Sequence, residues 1–241
     1  MSTHSQDIIF EALDATWPAA RTYSIGPWTI RQGAGGGQRV SAASANGVVT
    51  NADVDIAERE MVGLGQRKLF QLKPGDEALD QILDARGYLI RDPVNMYLGH
   101  VGDAIGTEAV GNNVFEAWPP LAIQREIWES GGIGPARVAV MERAAIPKGA
   151  FLARVGQSAA GVGFVSIAKD IAMIHALEVS SKHRRKGVAS QIMTAVAKWA
   201  QDMGATHLGL AVTEENFAAN ALYVKKSMRV VSRYHYRRAP E

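Results

Sequence analysis

Apolar positions along the chain switch between two periods. Residues 149–156, 160–168 and 171–179 alternate or run apolar between turn residues, which predicts three consecutive antiparallel strands. Over 187–203 the period lengthens: Val188, Ile192, Val196, Trp199 and Met203 share one face of a predicted helix, and Gly204 stops it. A strand at 207–213, a helix at 216–226 and closing strands near 229–237 follow. At the other end, Ser5 is a candidate cap for a helix carrying Ile8, Ile9, Leu13 and Trp17, stopped by Pro18. Residues 28–31 predict a strand, the glycine cluster 33–37 a turn or loop, and 39–43 a second strand. A helix at 52–64, a strand at 68–72, a helix at 76–86 and strands near 88–98 complete this half. Residues 99–112 hold Gly99, Gly102, Gly106 and Gly111 without periodicity and predict a linker. Pro119 or Pro120 then starts a helix through Trp128 that ends at Gly131-Gly132, and Pro135 another through Glu142.

The two ends repeat each other in pattern. Segment 68–96 overlays 208–236 at a constant offset of 140, so Phe70 and Leu72 fall on Leu210 and Val212. Leu79, Ile82 and Leu83 fall on Ala219, Leu222 and Tyr223, Gly87-Tyr88 on Ser227-Met228, and Val94 and Met96 on Tyr234 and Tyr236. A generic strand–helix–strand unit can give such a match, but the preceding helices also correspond, which favours two related halves in tandem.

Composition narrows the class. A net charge of +2 gives no global field toward nucleic acid or anionic membrane, so the basic run 182–186 needs a local explanation. The absence of cysteine excludes disulfides, thiolate metal sites and a cysteine nucleophile, and fits a cytoplasmic protein. Residues 1–10 lack a basic start and a long apolar stretch, and no apolar run approaches ~18 residues, so neither a signal peptide nor a membrane span is expected.

The basic run, His183-Arg184-Arg185-Lys186-Gly187-Val188-Ala189, sits between a strand and a helix start. Cations there oppose the helix dipole unless an anion lies among them, and first-turn N–H groups suit a pyrophosphate. The spacing Arg184-x-x-Gly187-x-Ala189 resembles the coenzyme A loop of the GNAT superfamily of acyl-CoA-dependent N-acyltransferases. Asn216-x-x-Ala219-x-x-Leu222-Tyr223 and Tyr234-x-Tyr236 resemble that family's next two motifs, in order.

The resemblance implies an α/β (α+β) fold with a mixed, mostly antiparallel sheet flanked by helices. It divides the chain into a degenerate half at 1–100 and a catalytic domain at 101–241. It implies an acetyltransferase that moves acetyl from acetyl-CoA, without a metal, to a primary amine of a small molecule or peptide in a ternary complex. Main-chain groups of Leu177 and Val179 would hold the pantetheine, and the Val179 N–H would polarise the thioester carbonyl. Amides of Arg185, Lys186, Gly187, Val188, Ala189 and Ser190 would hold the pyrophosphate, with Lys182, Arg184 and Arg185 near phosphate charge. Asn216 would bond pantetheine or cap its helix. Tyr223 would donate a hydrogen bond to the leaving sulfur.

His175 is the candidate base, expected on the same strand face as Leu177, although a strand-centre histidine is often structural. Glu178 is expected on the opposite face, as a substrate ligand or a surface carboxylate. Trp118, Trp128 and Arg137 are candidates for the acceptor pocket, or for the core in the case of the tryptophans. Peptide-acetylating members often carry a glutamate on the strand that here reads 208–212 without one, which weakens a peptide acceptor. Ser227-Met228 stands where the family has Gly-Phe, so the turn is expected to differ. In the first half Leu83 replaces the tyrosine and no basic loop precedes helix 52–64, so that half should cover the acceptor end without binding coenzyme A. Other readings are a non-catalytic acyl-CoA-binding module, a phosphate loop at the glycine cluster and a nucleic-acid binder.

Overall fold

The computed structural model describes residues 3–106 and 113–240. The first half holds α1 (Thr3–Thr16), β1 (Arg21–Ile25), β2 (Trp28–Gln32), β3 (Ser44–Ala45), α2 (Asn51–Gly63), β4 (Leu69–Leu72), α3 (Glu77–Ala85) and β5 (Leu89–His100). Next come α4 (Val101–Ile105), β6 (Val114–Glu116), α5 (Ala122–Ser130), α6 (Pro135–Arg143), β7 (Lys148–Val155), β8 (Ser158–Ala168) and β9 (Ile171–Val179). The chain closes with α7 (Val188–Asp202), β10 (His207–Thr213), α8 (Phe217–Lys225) and β11 (Arg229–Arg238).

Most predicted elements appear within a residue or two. Three differ. Residues 39–43 are not a strand: a 3-10 turn at Gln38–Val40 leads to the short β3. The stretch 99–112 begins as the end of β5 and then α4, while 107–112 lie outside the described residues. α1 starts at Thr3, so Ser5 is within the helix and not its cap.

The main sheet has the order β4-β11-β5-β10-β9-β8-β7-β6, and β1-β2-β3 forms a smaller one. All neighbours in the main sheet are antiparallel except β9 and β10. The repeat is visible in the strand registers. Leu72, Gln71, Phe70 and Leu69 pair with His235, Tyr236, Arg237 and Arg238. Shifting each partner by 140 gives Val212–Asn95, Ala211–Met96, Leu210–Tyr97 and Gly209–Leu98, which are also pairs. Val94 pairs with its own counterpart Tyr234, so a local pseudo-twofold passes between them. Even the single parallel bridge Ala43–Phe70 matches Ile174–Leu210. Each half thus lends its last strand across the dyad: β5 lies between β10 and β11, and β11 between β4 and β5.

The turn at Ser227 does not differ from the glycine version. Ser227 takes φ 59 and Gly87 φ 79, and both are followed by the same closing bonds, Met228 N–H to Tyr223 O and Tyr88 N–H to Leu83 O, at 3.0 Å each. Serine accepts the left-handed conformation at a cost of about 1 kcal/mol.

Burial of side chains on both sheet faces holds the assembly together. α7 packs Val188, Ile192, Met193, Val196, Ala197 and Ala200 on one face of the sheet. Its buried surface is wider than a single stripe because α4 (Val101, Ala104) covers it as well, while Met203 at its end is half exposed. α1 buries Ile9 and Leu13 on the opposite face against Val94, Met96 and Met173. α5 and α6 bury Trp128, Val138, Val140 and Met141 beside Phe164. Among the described residues no helix is long and apolar enough to cross a membrane.

Candidate active site

β9 and β10 pair only from Ile171–His207 to Ile174–Leu210. Beyond that point β9 runs on to Val179 and β10 to Thr213 without pairing to each other, which leaves a gap between them. Ser180 N–H donates to Ala160 O at 3.0 Å, so strand alternation turns the main-chain groups of Leu177 and Val179 to the gap edge. An extended chain with amide groups can add to such an edge.

A bulge sits at the mouth of the gap. Ala176 has φ 51, and the β8–β9 register slips between Phe164–His175 and Val162–Glu178. The extra residue reverses the side-chain alternation. Leu177 and Val179 therefore point to the α7 face, whereas His175, Ala176 and Glu178 share the other. This corrects two expectations: His175 does not share a face with Leu177, and Glu178 is not opposite His175. The fully buried Trp128 donates its indole N–H to Ala176 O at 2.8 Å and so holds the bulge. Its role is not to line the acceptor cleft.

The helix start at α7 has the form expected of an anion site. Gly187 is left-handed at φ 76, no side chain caps the helix, and its first turn has no acid. Lys182, Arg185 and Lys186 are exposed and have no ion pair among the described residues. Arg184 folds back instead: Nε donates to Val179 O and Nη2 pairs with Glu178, both at 3.3 Å. The equivalent helix start at α2 is closed. Thr50 Oγ1 accepts from Asp53 N–H, and Asp53 accepts from Thr50 N–H at 2.8 Å. The Thr50 hydroxyl, donating to the same carboxylate at 2.6 Å, and then the Thr50 N–H hold the Asp53 carboxyl below its usual range. The first half thus fills its own anion position with its own carboxylate.

Tyr223 is buried beside Tyr97, ring centres 5.5 Å apart, and burial first, then Tyr97, pushes its phenol up. It stays protonated and suits a hydrogen-bond donor. Tyr97, from β5, donates to Asn220 Oδ1 at 3.0 Å. Asn216 Oδ1 accepts from Ala219 N–H at 3.2 Å, so it caps α8.

A cleft of about 290 Å³ opens beside the gap, lined by His175 and Ala176 of β9, Thr213 of β10 and Tyr234 and Tyr236 of β11. Its other wall comes from the first half: Trp17, residues 36–39, Asp92 and Val94, with Ile133 and Arg137 at the α5–α6 end. His175 is buried, its ring centre 4.9 Å from that of Trp17 and the planes tilted by 32°. Thr16 gives its hydroxyl proton to Ala12 O at 2.6 Å, so His175 Nε2, 2.9 Å away, is the donor to Thr16 Oγ1. The lone pair is then on Nδ1, and Arg39 Nη1 stands 3.5 Å from it. Burial first, and Arg39 second, hold the imidazole well below its ordinary value, so it is neutral.

Two other candidates lie elsewhere. Trp118 packs against Phe164, ring centres 5.4 Å apart and tilted by 49°, with Lys148 over its ring, outside the cleft. Glu178 lies against Gly131 and Arg184. Arg137 does line the cleft. Arg39 was not legible as a site residue, because its partners His175 and Tyr234 are 136 and 195 positions away. The glycine cluster is a packing device. Gly33 N–H donates to Gln66 Oε1 at 2.7 Å, and a Cβ on Gly36 would stand 2.7 Å from Val140 Cγ2. Glycine lets the loop press on α6 and form the cleft wall.

A strand gap, a bulge at its mouth and an open helix start beyond it lie within or beside residues 118–228, which match the Acetyltransferase (GNAT) family. That stretch lies in the second half of the chain. The chain is 27% identical over 234 residues to a Bacillus subtilis (strain 168) protein described as uncharacterized N-acetyltransferase YobR, covering 92% of this chain and 94% of that one. It shares its fold with a GCN5-related N-acetyltransferase from Kribbella flavida, with a TM-score of 0.71 at 18% identity over 98% of this chain and 95% of that one. It also resembles a tandem GNAT protein from the clavulanic acid biosynthesis pathway, with a TM-score of 0.58 at 12% identity, covering 83% and 76%.

Proposed function

We propose that this protein transfers acetyl from acetyl-CoA directly to the amine of a small molecule, in a ternary complex. The carrying observation is the alignment of three features on one path. These are the unpaired edge of β9, the bulge at its mouth and the uncapped start of α7 with its exposed cations.

The residues fit the coenzyme. Amides at 185–190 receive the diphosphate, with Lys182, Arg185 and Lys186 around it. Main-chain groups of Leu177 and Val179 pair with the pantetheine. The Val179 N–H polarises the thioester carbonyl. Acetyl-CoA supplies an activated acyl group. The amine nitrogen attacks the carbonyl carbon, a C–N bond forms, the C–S bond breaks, and the sulfur leaves as thiolate. Tyr223, kept protonated by burial, donates a hydrogen bond as charge grows on sulfur. The nitrogen must lose a proton, and His175 Nδ1 is the lone pair in the cleft that takes it. The cleft's size favours a small acceptor over a peptide chain. The second half, 101–241, carries the catalytic groups, and the first half, 1–100, supplies the cleft's far wall.

The test is release of free thiol from acetyl-CoA with an amine panel, alongside calorimetry of acetyl-CoA. Tight binding with amine-dependent release is expected; no heat of binding and no release refute the assignment. A non-catalytic binding module would bind without turnover and would leave Tyr223→Phe without effect on any rate.

A further inference from the structure

The acyl transfer leaves Arg39 without a purpose. Its half-buried guanidinium donates Nε–H to Tyr234 Oη at 3.3 Å and points Nη1 at His175 Nδ1. No carboxylate pairs with it among the described residues. Other buried guanidiniums are matched by the chain itself: Arg31 with Asp14 at 2.8 Å, and Arg237 with Asp80 and Asp84 at 2.7 and 2.8 Å. Arg137, half-buried at the same cleft, donates to Gly132 O at 3.3 Å and also has no acidic partner among the described residues. The one acid lining the cleft, Asp92, accepts from Gln38 Nε2 at 2.8 Å. A cation held partly out of water without a counter-charge is costly, and such sites are built where an anion arrives.

We propose that the acceptor is a small amine bearing a carboxylate, and that Arg39 binds that carboxylate inside the cleft, with Arg137 near it. This rests on the acetyltransferase reading and names its substrate class. Guanidinium has five N–H donors, and the contacts to Tyr234, Tyr236 and His175 leave two, enough for a two-pronged grip on a carboxylate. Trp17, Tyr234 and Tyr236 offer apolar surface for the carbon skeleton. The grip has a second effect. Turning Nη1 toward a carboxylate draws it from His175 Nδ1 and offsets its charge, which frees the lone pair as the substrate arrives.

The experiment compares α-, β- and γ-amino acids with their methyl esters as acceptors, in the wild type, Arg39→Gln and Arg39→Lys. For the best acid, kcat/KM should exceed that of its ester by about a hundredfold, mostly through KM. Arg39→Gln should erase that preference while acetyl-CoA affinity by calorimetry stays unchanged, and Arg39→Lys should restore part of it. Unchanged acetyl-CoA binding in both variants also shows that they fold. If esters and acids are acetylated equally well, or Arg39→Gln keeps the preference, the carboxylate proposal is overturned and the acetyltransferase reading stands. If acetyl-CoA does not bind, that reading fails. Calorimetry with N-acetylated amino acids against their methyl esters then decides the proposal by itself: acid-selective binding lost in Arg39→Gln upholds it, and its absence overturns it.

Discussion

Ala189→Asp separates an anion site from an ordinary helix start, because it should move stability and coenzyme affinity in opposite directions. Ala189 is the second residue of α7, whose first turn has no acid and whose end has no side-chain cap. A carboxylate there complements the helix dipole by about 0.3–1 kcal/mol and relieves crowding among Lys182, Arg185 and Lys186. The melting temperature should hold or rise. Against a diphosphate on the same amides the sign reverses. At ~5 Å and an effective dielectric constant of ~20, each pair of unit charges repels by about 3 kcal/mol. One such pair alone should lower acetyl-CoA affinity by at least about a hundredfold. Ala189→Asn, similar in size but uncharged, should stay within about threefold of wild type. Calorimetry gives the dissociation constant and scanning calorimetry the melting temperature. An Asp variant that keeps wild-type affinity would refute the diphosphate placement. α2 already carries an acid in its first turn, Asp53, one position further into the helix.

Trp128→Phe should leave Ala176 O without its buried donor, costing about 1–3 kcal/mol in denaturant unfolding, and should lower kcat because the bulge is no longer held. Retained stability and rate would show that the bulge needs no such support. His175 should impose a pH slope on stability. Its folded pKa lies below its unfolded value, so below pH ~6.5 the unfolded chain binds a proton that the folded chain refuses. Stability should therefore drop by up to about 1.4 kcal/mol per pH unit as pH falls from 6.5 toward the folded value. Urea unfolding of His175→Gln should show that slope reduced by this amount; an unchanged slope would mean the imidazole is not held neutral. Ser227→Gly should raise stability by about 0.5–1 kcal/mol by relieving φ 59, seen as a higher urea midpoint, and a lower midpoint would contradict the strain.

Features that repeat over short distances were legible in the order of residues. The apolar periods predict β7 through β11 nearly to the residue, because alternation and helical spacing are local consequences of burying one face. The basic run and Gly187 predict the open helix start, because the dipole and the cations sit within one turn of each other. The repeat was also legible as pattern, since the same unit needs the same buried positions. How the halves interlock emerged only on folding. Exchange of β5 and β11 across the Val94–Tyr234 dyad depends on pairing between strands about 140 positions apart, which no local pattern encodes. Folding also decided the faces of β9. One residue at φ 51, fixed by an indole 48 positions earlier, reversed the alternation that placed His175 with Leu177. Arg39 became a site residue only when the glycine loop closed against α6 and brought a first-half cation to a second-half imidazole. Local periodicity reports which surface each element must hide. The meeting of distant charged groups depends on which of many possible partners hides it, and that is a property of the folded whole.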